Sequence, residues 1–247
     1  MDGIALASRF SIATNRLRYC GPAEAEPALY RAIVSGQGDA AARRALEGFE
    51  ALWPYLQAIG AKHRLDPLDR KVVEAYWIGN ELLDPFDRED FRKLLTALRR
   101  RGLPASIAER LAQNLPDEPI PHHMFHVAFV GVGAVTGHVR TTLANLDACR
   151  PAWATVLERR SGSLRTLRPS LQVEAGRLVW GPNMTNEIAY DPRTIPDVED
   201  GRSVVVHWSW PALVLTAAQL TALRDCTERS LRAANEVLPA MRVFASS

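Results

Sequence analysis

The sequence predicts an α+β protein: a helical N-terminal domain over residues 1–147, then a small OB-like β-barrel with a C-terminal helix over residues 148–247. Three observations lead there. Apolar residues recur at helical spacing between 46 and 98. Beyond Cys149 the pattern changes to short runs rich in Val, Leu, Ile, Thr and Trp, divided by turn-formers. A capped, periodic apolar stretch then follows from Thr216.

In the first part, Leu46, Phe49, Leu52, Trp53, Leu56 and Ile59 share one helical face. Val72, Val73, Tyr76, Trp77 and Leu83 make a second, and Phe91, Leu94, Leu95 and Leu98 a third. Start signals accompany them: Asp66 as a cap with Pro67 and Asp69 in the first turn, Asp87, and Ser106 with Glu109 as a capping box. Short connections imply antiparallel packing. Leu115 to Pro121 carries three prolines and two acids and reads as a loop. The apolar run HHMFHVAFVGVGAVTGH reads as a helix or a strand, its small residues favouring a closely packed helix.

The second part contains WATVLERR, SLRTLRPSL, QVEAG, RLVWG, NEIAY and SVVVHWSW. Ser161-Gly162, Ala175-Gly176, Gly181-Pro182 and Asp200-Gly201 separate many of them as turns. So many short strands in so little chain suggest a small barrel. The last helix starts with a Thr216/Gln219 capping box and turns Leu220, Leu223, Leu231, Val237 and Leu238 inward.

Composition narrows the function classes. A chain of 247 residues that is 47% hydrophobic and 23% charged buries a full core. A formal charge of +2 gives no electrostatic case for nucleic acid, and Arg99–Arg101 and Arg159-Arg160 read as solvated ends. Val127 to Val135 is too short to span a bilayer, which takes about 20 apolar residues. The first residues carry Asp2 and no basic leader, so no signal peptide is read. Three widely spaced cysteines, Cys20, Cys149 and Cys226, point to reduced thiols and a cytoplasmic location.

Four groups of residues are candidates for chemistry. In Pro121-His122-His123-Met124-Phe125-His126, a helix beginning at Pro121 would place His122 and His126 one turn apart, a metal-binding spacing. Such histidines serve equally as hydrogen-bond partners at a domain seam. Glu74, Trp77 and Glu81 would share one side of a helix, and Tyr76 and Asn80 another, lining a pocket or filling the core. Tyr19 and Cys20 lie at a turn after Arg16 and Arg18, whose charge would lower the thiol pKa. Cys149 opens the barrel and His207 closes it, one thiolate and one imidazole suited to iron, copper or zinc.

From Cys149 to Asn235 the chain resembles the HypC/HupF family of [NiFe]-hydrogenase maturation chaperones. CRPAWATVL stands where that family has its cysteine and first strand, and Asp200-Gly201-Arg202-Ser203-Val204-Val205-Val206-His207 matches its G-D-x-V-x-V-H segment. A capped C-terminal helix follows in both. The resemblance implies a HypC-like barrel in which Cys149 and His207 hold an iron carrying cyanide and carbon monoxide. Two departures stand out: Cys149 is internal, where the family's cysteine is N-terminal, and Trp153-Ala154 replaces an expected Pro-Gly. Through YCGPAEAEP, DPLDRKVVEAYWIGNELL, PHHMFHV and the segment at His207, the whole chain also resembles an uncharacterised bacterial family often encoded near hydrogenase genes.

These resemblances imply an accessory protein or chaperone of metallocentre assembly. Its partners would be an immature metalloenzyme subunit or other maturation proteins, with a homo-oligomer open. The alternative is a metalloenzyme in which His122, His123 and His126, with Glu74 or Glu81, form a site between helices and barrel. A site joining Cys149 to one of these histidines would unite the two halves.

Overall fold

The computed structural model describes residues 1–241. Ten helices and five strands make up these residues, in an α+β arrangement. The first helix, α1 (Gly3–Arg16), is buried almost all round, with Leu6, Phe10, Ser11 and Ile12 inside. No single apolar stripe marks it, because a central helix has no solvent face. Asp2 caps it by accepting from Ala5 N at 2.8 Å. Around it pack α2 (Glu26–Ser35), α3 (Ala40–Glu47) and α5 (Arg70–Trp77), with α4 (Leu52–His63) against α5 and against α6 (Arg88–Arg100).

Local chemistry redraws several expected boundaries. The periodicity from Leu46 to Ile59 is broken at Gly48–Ala51, so Phe49 reaches the core from a connection between α3 and α4. The cap of α5 is Asp69, which accepts from Lys71 N, while Asp66 instead closes a turn on Leu68 N. α5 stops at Trp77, and Asn80 begins a short 3-10 turn (Glu81–Leu83). Glu74 and Glu81 therefore do not share a helix face. Asp87 and Asp90 form a reciprocal capping box on α6. α7 (Ala105–Gln113) begins after Pro104 without a side-chain cap, so Ser106 and Glu109 make no box. The loop from 115 to 121 is present.

The His-rich run is helical but irregular: α8 (His123–Phe125) passes directly into a π-helical turn (His126–Gly131). Such wide turns cluster at functional sites because they displace side chains from the regular register. α9 (Leu143–Cys149) then delivers the chain to the sheet.

The strands are β1 (Ala152–Arg160), β2 (Ser163–Glu174), β3 (Arg177–Ala189), β4 (Ser203–His207) and β5 (Trp210–Val214). They form one antiparallel sheet in the order β3-β2-β1-β4-β5. The expected barrel is not formed, since β3 and β5 remain edges. SLRTLRPSL with QVE, and RLVWG with NEIA, are single long strands that cross irregularities at Pro169/Leu171. At Leu178 the free edge of β3 is satisfied by the last helix, α10 (Ala217–Met241): Asn235 accepts from Leu178 N and donates to its carbonyl, both at 2.8 Å. A helix therefore meets the edge where closure would need a strand. The Thr216/Gln219 capping box on α10 is formed as expected.

One apolar core runs through both parts of the chain, from Leu6 and Phe10 through Leu171, Val205 and Leu231. A smaller cluster, with Val156, Leu164, Val204 and Val206, covers the opposite sheet face. The two-residue period of β4 thus sends Val204 and Val206 away from the helices, and Val205 and His207 towards them. Among the described residues, no helix is long and apolar enough to cross a membrane.

Two glycine substitutions test this packing. Gly79 ends α5 at φ +104°, and a Cβ there would meet Cys226 Sγ at 2.2 Å. Gly79→Ala is expected to lower unfolding stability by at least ~2 kcal/mol in urea titrations. Gly162 has φ +81° in the β1–β2 turn but nothing within 4 Å, and Gly162→Ala should cost only about 1 kcal/mol.

Candidate metal centre

Three elements distant in sequence place three donor side chains together. α8 supplies His123, the last residue of α9 is Cys149, and the last residue of β4 is His207. Their candidate ligand atoms all lie within 4.8 Å of one another, and all three residues are buried. Cys149 Sγ is 3.7 Å from His123 Nε2 and 3.8 Å from His207 Nε2. With metal–sulfur bonds of about 2.3 Å, metal–nitrogen bonds of about 2.0 Å and a tetrahedral angle, a sulfur–nitrogen edge is about 3.6 Å. The donors stand close to that spacing.

Each imidazole is oriented from behind. His207 Nδ1 donates to the Phe10 carbonyl of α1 at 2.7 Å. A carbonyl only accepts, so Nδ1 carries the proton and Nε2 presents its lone pair towards the sulfur. His123 Nδ1 meets the Tyr76 hydroxyl at 2.8 Å, and its Nε2 donates to the Cys149 carbonyl at 3.0 Å. A hydroxyl both donates and accepts, so Tyr76 can support either tautomer, including the one that frees Nε2 for a metal. Trp77 packs over both rings, with centroids 4.2 Å from His123 and 5.0 Å from His207.

Burial governs the electrostatics. It depresses His207 to about 4 and His123 well below the usual histidine range, where neighbouring imidazoles push the same way. The Cys149 thiol is pushed up to about 12 by burial, opposed by the indole N–H of Trp208 beside the sulfur. The site therefore holds neutral imidazoles, the form that binds metal, and a thiol whose ionisation requires a cation to replace its proton.

The donors open on a cavity of about 60 Å³, with Ser11, Tyr19, Cys20, Phe49, Trp77, His126 and Trp208 among its lining residues. Among the described residues, no charged side chain lines it. Trp208 reaches it from an unusual backbone: Trp208 and Ser209 form the two-residue β4–β5 turn with φ of 51° and 57°. That type of turn matches strand twist but favours Asn and Gly, so a tryptophan there is strained.

The other candidates from the sequence fall in different places. His122 is not on a helix face: its extended backbone makes it the cap of α8, and Nδ1 accepts from Met124 N at 3.2 Å. Pro121 therefore does not start the helix, and the His122/His126 pair does not form. His126 lines the cavity but holds the Tyr55 hydroxyl at 3.0 Å. Glu74 accepts from Gln219 and ties α5 to α10, and Asn80 binds the Lys71 carbonyl. Glu81 is exposed. The Cys20 thiol is pushed up to about 12, by burial first and then by the Glu50 carboxylate that it contacts at 3.3 Å. The expected lowering by Arg16 and Arg18 does not occur, because they engage Glu26 and the Ala23 carbonyl instead.

Acid should destabilise the metal-free protein. Burial depresses His122 to about 3, and His126 and His207 to about 4, whereas unfolded histidine titrates near 6.5. The unfolded chain thus takes up protons first as pH falls. The stability is complete above about pH 6.5 and lost progressively towards about pH 4, by several kcal/mol in sum. Thermal melts from pH 7.5 to 4.5 should show a steady fall, and a flat profile would contradict neutral burial of these rings.

No curated protein and no solved structure matches the chain significantly. Over residues 1–241 it matches the family model described as a family of unknown function, DUF6390, and it belongs to that family.

Proposed function

We propose that this protein binds a transition-metal ion through His123, Cys149 and His207 and acts as an accessory protein of metallocentre assembly. The observation that carries the reading is the meeting of three soft or borderline donors in one buried cluster. Two of them, Cys149 and His207, are the pair singled out by the resemblance to the hydrogenase-maturation chaperones. One thiolate and two imidazoles suit iron, copper or zinc and disfavour magnesium or calcium, which take oxygen ligands. Three protein ligands leave one coordination position free in a tetrahedral site and three in an octahedral one, as a site that exchanges or carries external ligands requires.

Iron bearing cyanide and carbon monoxide fits the donor set, because a thiolate is a soft, strong donor. An immature metalloenzyme subunit is then the natural recipient. The described cysteines Cys20, Cys149 and Cys226 are all free thiols, consistent with a reducing, cytoplasmic setting.

The test is metal analysis and infrared spectroscopy of protein purified without oxygen from a host that matures hydrogenases. Iron with bands in the cyanide and carbonyl region, lost in Cys149→Ala, is the expected result. His122→Asn, which keeps an acceptor at the helix cap, should retain the metal. Full metal content in Cys149→Ala would overturn the ligand assignment.

A metalloenzyme is the second reading, favoured by the cavity that reaches the donors. Neither Glu74 nor Glu81 is among the cavity's lining residues, so His126 is the proton acceptor available there. Metal without the infrared bands would favour this reading.

A further inference from the structure

Seven buried side-chain polar atoms of the described residues lack a hydrogen-bond partner. Three of them, Ser11 Oγ, Trp77 Nε1 and Trp208 Nε1, belong to residues that line the cavity at the metal centre. Ser11 is 2% exposed and Trp77 3% exposed. An indole N–H can only donate, so each tryptophan calls for an acceptor. Leaving one buried donor without a partner costs about 1–3 kcal/mol, and such orphans in a folded protein need an explanation.

Their placement supplies one. Trp208 follows His207 in the chain, and its indole N–H lies beside Cys149 Sγ, a weak acceptor, with no oxygen or nitrogen partner. Trp77 packs on both His123 and His207. Ser11 follows Phe10, whose carbonyl orients His207. The three residues that carry these unsatisfied groups thus line the same cavity as His123, Cys149 and His207.

Charge restricts what the group can be. A divalent metal with one thiolate and two neutral imidazoles carries a net single positive charge. Among the described residues, no charged side chain lines the cavity to balance it, and an unbalanced buried charge is costly. A monoanion on the metal would neutralise the site and supply the missing acceptor. A cavity of about 60 Å³ leaves room for only a few heavy atoms.

We infer that the open position of the metal takes a small monoanion whose outer atom accepts hydrogen bonds from Trp208 and Ser11, with Trp77 as a further donor. This rests on the reading of His123, Cys149 and His207 as metal ligands. Ser11 and Trp208 then select the ligand by hydrogen bonding, and the apolar wall selects it by size.

The experiment uses the full chain loaded with cobalt(II), whose visible spectrum reports on coordination. Wild type, Ser11→Ala and Trp208→Phe are brought to equal cobalt content and titrated with azide, with benzoate as a bulky monoanion. Saturable azide binding to wild type is expected, with no response to benzoate. Azide affinity should fall about tenfold in each variant, the effect of losing one hydrogen bond to a charged acceptor. Azide binding equally to all three, or binding of benzoate, would overturn the inference while leaving the metal site standing. Cobalt that binds without any azide response would do the same. Failure of the wild type to bind cobalt would overturn the metal reading, and the inference with it. Ser11→Ala removes a single oxygen from α1, so it keeps the test decisive if Trp208→Phe disturbs the strained turn.

Discussion

The hydrogen bond from His207 Nδ1 to the Phe10 carbonyl, 2.7 Å long, joins the end of β4 to the middle of the central helix α1. It spans nearly the whole sequence and is buried, so each group would lose solvation without the other. It also decides which ring nitrogen of His207 is bare. The orientation of the candidate metal centre is thus tied to the docking of the sheet on the helices. A carbonyl in mid-helix normally accepts from its own helix, and its second lone pair is what makes this arrangement possible.

The rest of the site follows from the same docking. β4 is buried on both faces, so its alternation puts His207 with Val205 on the helical side. The tight turn that follows leaves Trp208 and Ser209 with positive φ, and the amide of Trp208 is held by the Ala148 carbonyl at 2.7 Å. That contact brings α9, and with it Cys149, against the sheet. His123 arrives on α8, braced by Tyr76 of α5. The site is therefore a meeting point of α1, α5, α8, α9 and β4, rigid because each donor is gripped from a different element.

Some of this is legible in residues alone. The Asp87 and Thr216 caps announce α6 and α10, since a short polar side chain before an apolar periodic run satisfies orphan amides in any context. The odd, dispersed cysteines point to free thiols, and Cys149 and His207 stand out as one thiolate and one imidazole at the opening and at the fourth strand of the strand-rich segment. His123 as the third donor is not, because its neighbours His122 and His126 have the more obvious helical spacing. Only the extended backbone at His122 and the π-helical turn after Phe125 decide which imidazole faces the sulfur. Ser8, Ser11, Thr14 and Asn15 are all buried polar residues of α1, and only the structure shows that Ser11 is the one whose side chain lacks a partner.

The α+β class, the order of helices before strands, the capped final helix and the residue types suited to a soft metal can all be read from residues alone. Those properties follow from local periodicity and from side-chain chemistry. Tertiary structure decided that the sheet stays open, because Asn235 meets the edge of β3 at Leu178 where a strand would have to close it. It also decided that Cys149 stands between two histidines 26 and 58 residues away. Spacing along the chain carries no information about such a meeting, which is fixed by the packing of α8, α9 and β4 around one shared core.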